Sequence, residues 1–218
     1  MAARKIAIVG GTGPQGKGLA YRFAAAGHEV RVGSRDASRA AEIAAGIAEH
    51  AGAPVEGGTN DDVAQVSDIV VLTVPYDGHA GLVAALEPAL RGKIVVSCVN
   101  PLGFDAKGPY ALPVRDRSAA EELARLVPEA QVVGAFHHVS ALNLWRHKGP
   151  LDDEDVLVCG DHEDANAIVA SLATSVTGRD GVIAGGLRLA RELEPWTAVL
   201  IGINKRHKVR SGIRVTGL

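Results

Sequence analysis

The sequence predicts an α/β protein of the Rossmann type, in which a doubly wound, mainly parallel sheet is followed by a small C-terminal domain. Segments rich in Val and Ile alternate with amphipathic segments, which is the pattern of βαβ units. The strand-like segments are continuous apolar runs, as expected for strands covered on both faces of a parallel sheet. The first of them leads into a glycine-rich loop that opens a helix, where sheets of this kind bind nucleotides.

The first half of the chain supplies most of the predicted sheet. Its predicted strands are 5–9, 28–34, 54–57, 68–74 and 93–97, and its predicted helices are 14–26, 37–50, 60–65 and 78–90. The segment 54–57 is the weakest of these strands. Connections between parallel strands are right-handed, so each helix returns the chain across the sheet.

The second half is less regular. It is predicted to contain helices at 118–127, 164–176 and 187–205, strands at 130–136, 155–159 and 181–184, and irregular stretches at 98–118 and 137–150. Ser118 and Glu121 form a capping box, and Pro195 should kink or restart the last helix. The long loop at 98–118 indicates a functional role. We expect residues 1–145 to form the nucleotide-binding domain and residues 146–218 a smaller domain.

The composition argues against several classes of partner. The 218 residues are 47% hydrophobic with a net charge of −2, which provides no overall attraction to nucleic acid or an anionic membrane. No apolar run approaches the roughly 20 residues of a membrane span, and the N-terminal run is too short for a signal peptide. Cys98 and Cys159 match neither a redox pair nor a zinc site, which favours buried thiols in a reducing cytosol. We therefore expect a cytoplasmic protein without a metal, nucleic-acid or membrane partner.

The glycine loop has the spacing of a dinucleotide-binding motif. It consists of Gly11, Thr12, Gly13, Pro14, Gln15 and Gly16. In this motif the first glycine permits a tight turn, the second lets the backbone approach a pyrophosphate, and the third lets helix and strand pack closely. Proline suits the first helical turn, where N–H groups without intrahelical partners face the phosphates. The alternative is a glycine turn with a structural role only.

The end of the second predicted strand favours NADP(H). An NAD site usually carries an acid there, which accepts a hydrogen bond from the ribose 2′-OH. Here Ser34 offers a hydroxyl and Arg35 a planar cation that pairs with phosphate. Arg39 follows on the same helix face, and Thr12 can approach from the glycine loop. The nearby acid, Asp36, is expected to complement the dipole of the following helix.

The fourth predicted strand ends where the nicotinamide half of a dinucleotide normally lies. Thr73, Val74 and Pro75 occupy this end. Pro75 either leaves the backbone free to line the cleft or simply ends the strand. Asp77 and His79 follow, and we expect them to be helix-start and surface residues.

Four segments together resemble one known family: KIAIVGGTGPQGKGLAYRFAAAGHEVRVGSR, DIVVLTVPYDGH, KIVVS and SGIRVTG. They are similar to the F420-dependent NADP reductases, which transfer a hydride between NADPH and the deazaflavin coenzyme F420. The resemblance covers nearly the whole chain and is weakest between residues 102 and 117. It implies a homodimer of Rossmann subunits, each with a small C-terminal domain and with F420 in a cleft against the nicotinamide.

The resemblance also implies roles for single residues. The family's 2′-phosphate contacts match Thr12, Ser34, Arg35 and Arg39. The segment GAFHHVSA matches the part that lines the deazaflavin and nicotinamide site, which makes His137 and Val139 candidates. Ser140 departs from the family, since some members have proline there.

The implied chemistry requires no catalytic acid, base or metal. A hydride can pass directly between two ring carbons once the rings are stacked, oriented and shielded from water. His137 either stabilises charge at the N1/C2 edge of the deazaflavin or is a structural histidine at a strand end. His138 would face the opposite side of a continuing strand, so we do not expect the two histidines to act together.

The C-terminal residues 204–218 form a basic segment without an acid. Its cations are Lys205, Arg206, Lys208, Arg210 and Arg214. These cations either hold the phosphate and oligoglutamate of F420 or complement the dipole of a solvated helix end.

Two other functions stay open. A NADPH-dependent reductase of a small carbonyl, imine or ferric substrate would generally need an acid to protonate its product. The lysine and asparagine that serve β-hydroxyacid dehydrogenases are not matched by INKRHK, which has the wrong order and comes too late in the chain. A non-enzymatic NADP sensor would need the nucleotide site alone.

Overall fold

The computed structural model describes residues 3–218 and contains one eight-stranded sheet and one small hairpin. The strands are β1 Lys5–Val9, β2 Glu29–Ser34, β3 Val55–Thr59, β4 Ile69–Leu72, β5 Ile94–Ser97, β6 Leu102–Asp105, β7 Gly108–Ala111, β8 Gln131–Ala135, β9 Leu157–Gly160 and β10 Val182–Gly185. The helices are α1 Pro14–Ala25, α2 Ala37–Ala51, α3 Asn60–Gln65, α4 His79–Leu90, α5 Ala119–Leu126, α6 Ala141–Arg146, α7 Glu163–Leu172, α8 Thr174–Thr177 and α9 Ala190–His207.

The sheet has the strand order of a doubly wound Rossmann fold. Its order is β10-β9-β8-β5-β4-β1-β2-β3, and the six strands from β8 to β3 are parallel. β9 runs antiparallel to β8, and β10 runs parallel to β9. The predicted mainly parallel sheet is therefore confirmed. Its switch point lies between β1 and β4, where ligands of such sheets bind outside the carboxyl ends of the strands.

The two faces of the sheet explain the continuous apolar runs. Along β1, Ile6 and Ile8 face a core that includes residues of α1, α2 and α7. Ala7 and Val9 face a second core that includes residues of α3, α4 and α5. Because successive side chains of a strand point to opposite faces and both faces are covered here, four consecutive positions of β1 are apolar.

Two local predictions were wrong, and one of the two alternatives for Pro195 is excluded. The stretch 98–118 contains the β6–β7 hairpin, whose four-residue strands were obscured by Pro109, opposite Phe104 in the ladder. The stretch 137–150 contains α6, which has only six residues and too short an apolar pattern to be recognised. The last helix does not restart at Pro195, because α9 continues through it after a short 3₁₀ turn at Leu187–Leu189.

The end of the chain returns to the carboxyl edge of the sheet. We call residues 208–218 the C-terminal strap. The strap is tied to Asp155, whose backbone N–H donates to the Ile213 carbonyl (2.7 Å) and whose carboxylate accepts from the Val215 N–H (2.7 Å). β9 and β10 extend the main sheet beyond residue 145, so the predicted domain boundary falls between two strands of one sheet. The division into two domains stays a prediction.

Candidate functional site

A cavity of about 1060 Å³ opens at the carboxyl edge of the sheet. Twelve of the fourteen predicted site residues line it: Thr12, Gly13, Pro14, Gln15, Ser34, Arg35, Arg39, Thr73, Val74, Pro75, His137 and Val139. Sequence reasoning did not assign a site role to further lining residues, which include Asn60, Cys98, Asn100, Leu142, Thr197, Leu200, Ile201, Asn204 and Ser211. The cavity thus joins the ends of β1, β2, β4 and β8 with one side of α9.

The remaining two predicted residues, Gly11 and Gly16, form the packed floor of the glycine loop. The Gly11 N–H donates to the carbonyls of Ile8 (3.1 Å) and Gly33 (3.0 Å). A Cβ on Gly16 would lie 2.5 Å from the Gly11 Cα, so a side chain has no room there. Both residues therefore shape the turn rather than line the cavity.

The absence of a side chain at Gly13 leaves the first turn of α1 sterically accessible. It is the N-cap of this helix, and a Cβ placed on it would meet only the Gly10 carbonyl oxygen, at 3.7 Å, among the described residues. The N–H groups of a first helical turn lack intrahelical partners and carry the positive end of the helix dipole. The loop therefore offers phosphate groups a backbone approach without steric hindrance.

The cationic end of the cavity lies after β2. Arg35 and Arg39 are exposed, and within residues 3–218 no carboxylate forms an ion pair with either of them. The Ser34 hydroxyl oxygen accepts from the Asp36 N–H (3.2 Å), which leaves its O–H available to donate. Asp36 is not among the residues that line the cavity, and its carboxylate caps α2 by accepting from the N–H groups of Ser38 (2.9 Å) and Arg39 (3.1 Å).

Beyond β4 the structure corrects one prediction. The Thr73 hydroxyl donates to the Val9 carbonyl (3.0 Å), which holds the end of β4 against β1. His79 was predicted at the surface but is fully buried, with its Nδ1 2.8 Å from Glu122 Oε1 of α5. The prediction failed because α4 packs against α5 and turns its first residue inward.

The turn after β8 is held by three side chains from different elements. Phe136 has a left-handed φ of 62°, which directs the chain out of the strand. Its carbonyl accepts from Gln15 Nε2 (3.1 Å), and the His137 carbonyl accepts from Asn100 Nδ2 (2.9 Å) and Thr197 Oγ1 (3.0 Å). The glycine loop, the segment after β5 and α9 therefore converge on this turn.

The His137 ring is buried beside the cavity in its neutral form. Burial, and then the neighbouring His138, lowers the pKa of His137 to about 3. Neither ring nitrogen has a hydrogen-bond partner among residues 3–218. A neutral imidazole has one donor and one acceptor, and both are unused here.

His138 has a different environment. Its Nε2 lies 2.7 Å from the Asp155 carbonyl oxygen, and burial lowers the pKa of its ring. The Asp155 carboxylate is engaged separately, by Arg179 Nε at 2.9 Å. In the described part of the chain, no group of three or more His, Cys, Asp or Glu side chains could hold a metal ion.

Both cysteines are free and buried, in agreement with the sequence interpretation. Burial raises the pKa of the Cys98 thiol well above its usual range and that of Cys159 to about 12. Both therefore stay protonated at neutral pH and are poor nucleophiles. Among the described helices, none has the length and apolar character required to cross a bilayer.

The fold and the site together define a class. A Rossmann sheet, a glycine loop before an open helix start, and unpaired arginines after β2 are the features of a dinucleotide-binding protein.

Comparison with known proteins identifies the family within this class. Residues 5–101 match the family described as "NADP oxidoreductase coenzyme F420-dependent". The chain is 41% identical to the F420-dependent NADP reductase of Methanothermobacter thermautotrophicus, over 98% of this chain and 95% of that protein. It is 38% identical to the enzyme of the same name from Methanocaldococcus jannaschii, over 98% and 99% of the two chains. The chain therefore belongs to the family of F420-dependent NADP reductases.

Solved structures give the same result for the fold. A crystal structure described as a putative F420-dependent NADP reductase from an Arthrobacter species superposes with a TM-score of 0.84, at 30% identity, over 98% of this chain and 100% of that one. The rat metalloreductase STEAP3 is 33% identical over 88% of this chain, which corresponds to 36% of the rat protein.

Proposed function

We propose that this protein transfers a hydride between NADPH and coenzyme F420. The observation that carries the proposal is one continuous cavity that connects Arg35 and Arg39, which have no ion-pair partner among residues 3–218, with His137 and α9. Its volume of about 1060 Å³ is at the upper end of the range for small-molecule sites, as two coenzymes in contact would require. The names of the curated relatives support the same reaction.

The NADPH half of the cavity is assigned from its charges. Ser34, Arg35 and Arg39 bind the 2′-phosphate, because a hydroxyl donor and guanidinium groups favour an additional phosphoryl group. Thr12 approaches the same phosphate from the glycine loop. The first turn of α1 binds the pyrophosphate, and residues 73–75 lie against the nicotinamide.

The deazaflavin half lies between the turn after β8 and α9. When both coenzymes are bound, the nicotinamide supplies a hydride directly to a carbon of the deazaflavin. His137 and Val139 line the place where the two rings meet, and the buried, neutral His137 ring adds no charge to that wall. The protein's contribution is to position the rings and exclude water, so no catalytic acid, base or metal is assigned.

A reaction with purified components tests this function. NADPH and oxidised F420 are mixed with the protein, and loss of deazaflavin absorbance is followed. The proposal expects bleaching that depends on NADPH and on the protein. Absence of bleaching together with turnover of a ferric chelate, carbonyl or imine would favour the alternative reductase, to which the metalloreductase similarity points. Tight NADP binding without any turnover would favour a sensor.

We also infer that the protein is a cytoplasmic homodimer. Trp196, Val199 and Ile203 share one face of α9 and are between 38% and 50% exposed. The exposed side chains of Phe104 and Tyr110 belong to the hairpin that packs near α9. An apolar surface of this kind is typical of a subunit interface. Light scattering should give a dimer for the unaltered protein and a monomer for Trp196→Asp, whereas a monomer in both cases would contradict the inference.

A further inference from the structure

We propose that Arg210 is the residue that binds the anionic tail of the second coenzyme, by pairing with its phosphate or carboxylate groups. The inference rests on the proposed function, because F420 is the coenzyme that carries a phosphate and an oligoglutamate. It assigns to one side chain a role that the sequence left open for five cations.

The structure separates Arg210 from the other four cations. Arg210 lines the cavity, whereas Lys205, Arg206 and Lys208 are exposed outside its lining. Arg214 is already engaged, since it donates to the Asp152 carbonyl (2.8 Å) and lies 3.7 Å from the Asp155 carboxylate.

Most of the N–H donors of the Arg210 guanidinium make no hydrogen bond within residues 3–218. Its one hydrogen bond within residues 3–218 goes from Nη1 to the Val209 carbonyl, at 2.9 Å. A guanidinium has five N–H donors, and no carboxylate of the described chain forms an ion pair with this one. Arg210 is therefore a cation on the wall of the cavity that no carboxylate of residues 3–218 neutralises.

The backbone around Arg210 is held in place. α9 ends at His207, and the left-handed φ of 56° at its C-cap Lys208 reverses the chain into the C-terminal strap. The side-chain oxygen of Asn204 then accepts from both the N–H (2.6 Å) and the hydroxyl (2.9 Å) of Ser211. This closed turn fixes the residue next to Arg210 against the last turn of α9.

The position of the strap indicates which ligand Arg210 serves. Because β9 is antiparallel to β8, the start of β9 and the adjacent Asp155 lie at the carboxyl edge of the sheet. The strap is hydrogen-bonded to Asp155, which lies just before β9. In the sheet, β9 is five strands away from β2, and the residues assigned to the 2′-phosphate lie at and after the end of β2. At roughly 4.8 Å per strand, this separation is about 24 Å. Arg210 precedes Ile213, the first residue tied to Asp155, by three positions, which is at most about 11 Å of extended chain, so its backbone lies closer to Asp155 than to the end of β2.

The experiment compares Arg210→Ala with a matched control, Arg206→Ala. Both variants remove one arginine from the same basic segment, but Arg206 lies outside the cavity lining. Equilibrium binding is measured by calorimetry for F420 and for a deazaflavin of the same ring system that lacks the phosphate and glutamate tail. NADPH binding is measured in parallel, and Arg210→Lys is included to test whether a point charge suffices.

The proposal expects a selective loss. Arg210→Ala should raise the Kd for F420 about tenfold at low salt, as loss of one charge-assisted contact does, and the effect should shrink as salt is added. The Kd values for the tail-less deazaflavin and for NADPH should not change, and Arg206→Ala should have little effect on any of the three ligands. Arg210→Lys should restore part of the affinity for F420.

Three results would overturn the proposal. An equal loss in Arg206→Ala would indicate a general charge effect. An equal loss for the tail-less deazaflavin would indicate that Arg210 contacts the ring or supports the fold. Loss of NADPH affinity alone would assign Arg210 to the phosphates of the dinucleotide. Failure of the proposed function is a separate outcome, because the unaltered protein would then bind and reduce neither deazaflavin.

Discussion

The side chain of Asn60 holds the start of the glycine loop: its Oδ1 accepts a hydrogen bond from the Gly10 N–H at 3.1 Å. Gly10 has a left-handed φ of 69°, and a Cβ there would lie 2.4 Å from Val74 Cγ1. The loop backbone at Gly10 therefore depends on a side chain from the first turn of α3, a helix that follows β2 and β3 in the sequence. Asn60 also lines the cavity, so it links loop geometry with ligand binding.

Asn60→Ala should weaken both stability and NADPH binding. The change leaves the partly buried Gly10 N–H without its protein acceptor, and loss of such a hydrogen bond costs about 0.5–1.5 kcal/mol. Thermal unfolding with and without saturating NADPH measures both effects. An unchanged melting temperature together with unchanged NADPH affinity would show that the hydrogen bond has no role in holding the loop.

Sequence reasoning selected residues that line one cavity because their signals are local in the sequence. The glycine loop, Ser34 and Arg35 lie at fixed spacings from apolar strands, and each spacing has a known geometric reason. Asn60 had no such signal. It acts on a residue 50 positions away, and only the pairing of β1, β2 and β4 brings the two together.

Arg35→Ala should reduce NADPH affinity without changing NADH affinity. Arg35 is exposed and unpaired within the described chain, so its loss removes a phosphate contact and leaves no buried charge behind. We expect about a tenfold rise in the Kd for NADPH. Calorimetric titration of both nucleotides measures the difference. The neighbouring exposed Ser38→Ala provides a control, and an equal effect on NADH would contradict the 2′-phosphate assignment.

The neutral His137 ring should make the protein less stable in acid. The pKa of His137 in the folded state is about 3, below the ordinary histidine value near 6.5, so the unfolded chain binds the proton more readily between these pH values. The free energy of unfolding should therefore fall as pH drops from about 6.5 towards 3. Urea unfolding of the unaltered protein and His137→Gln measures this, with a shallower pH dependence expected for the variant. Parallel pH profiles would show that His137 is not buried in its neutral form.

Glu194 should produce the opposite dependence at higher pH. Its carboxyl group accepts from the N–H groups of Ala119 (2.8 Å) and Ala120 (3.0 Å) at the start of α5. Burial, opposed by these hydrogen bonds and assisted by nearby Glu121 and Glu122, raises the pKa of Glu194 to about 8. Since the folded state then holds the proton more tightly, stability should fall as pH rises from about 4.5 through 8. Urea unfolding should show a smaller fall for Glu194→Gln, and an identical slope would refute the assignment.

The parts that the sequence did not predict depend on tertiary contacts. α6 is too short to be stable alone, and its end is held by buried Arg22, whose guanidinium donates to the carbonyls of Asn143 (3.1 Å), Leu144 (2.8 Å) and His147 (2.8 Å). His79 looked like a surface residue because its carboxylate partner, Glu122, lies 43 positions away. In each case the partner became visible only when distant elements were packed together.

The preference of the unaltered protein for the phosphorylated nucleotide tests the central claim most directly. Calorimetric titration with NADPH and with NADH, under the same low-salt conditions, compares two ligands that differ only in the 2′-phosphate. We predict that NADPH binds at least about tenfold more tightly, because Ser34 presents a hydroxyl donor there and Arg35 and Arg39 present two cations without an ion-pair partner in the described part of the chain. Equal affinity for the two nucleotides would contradict the assignment of the site and, with it, the proposed reaction.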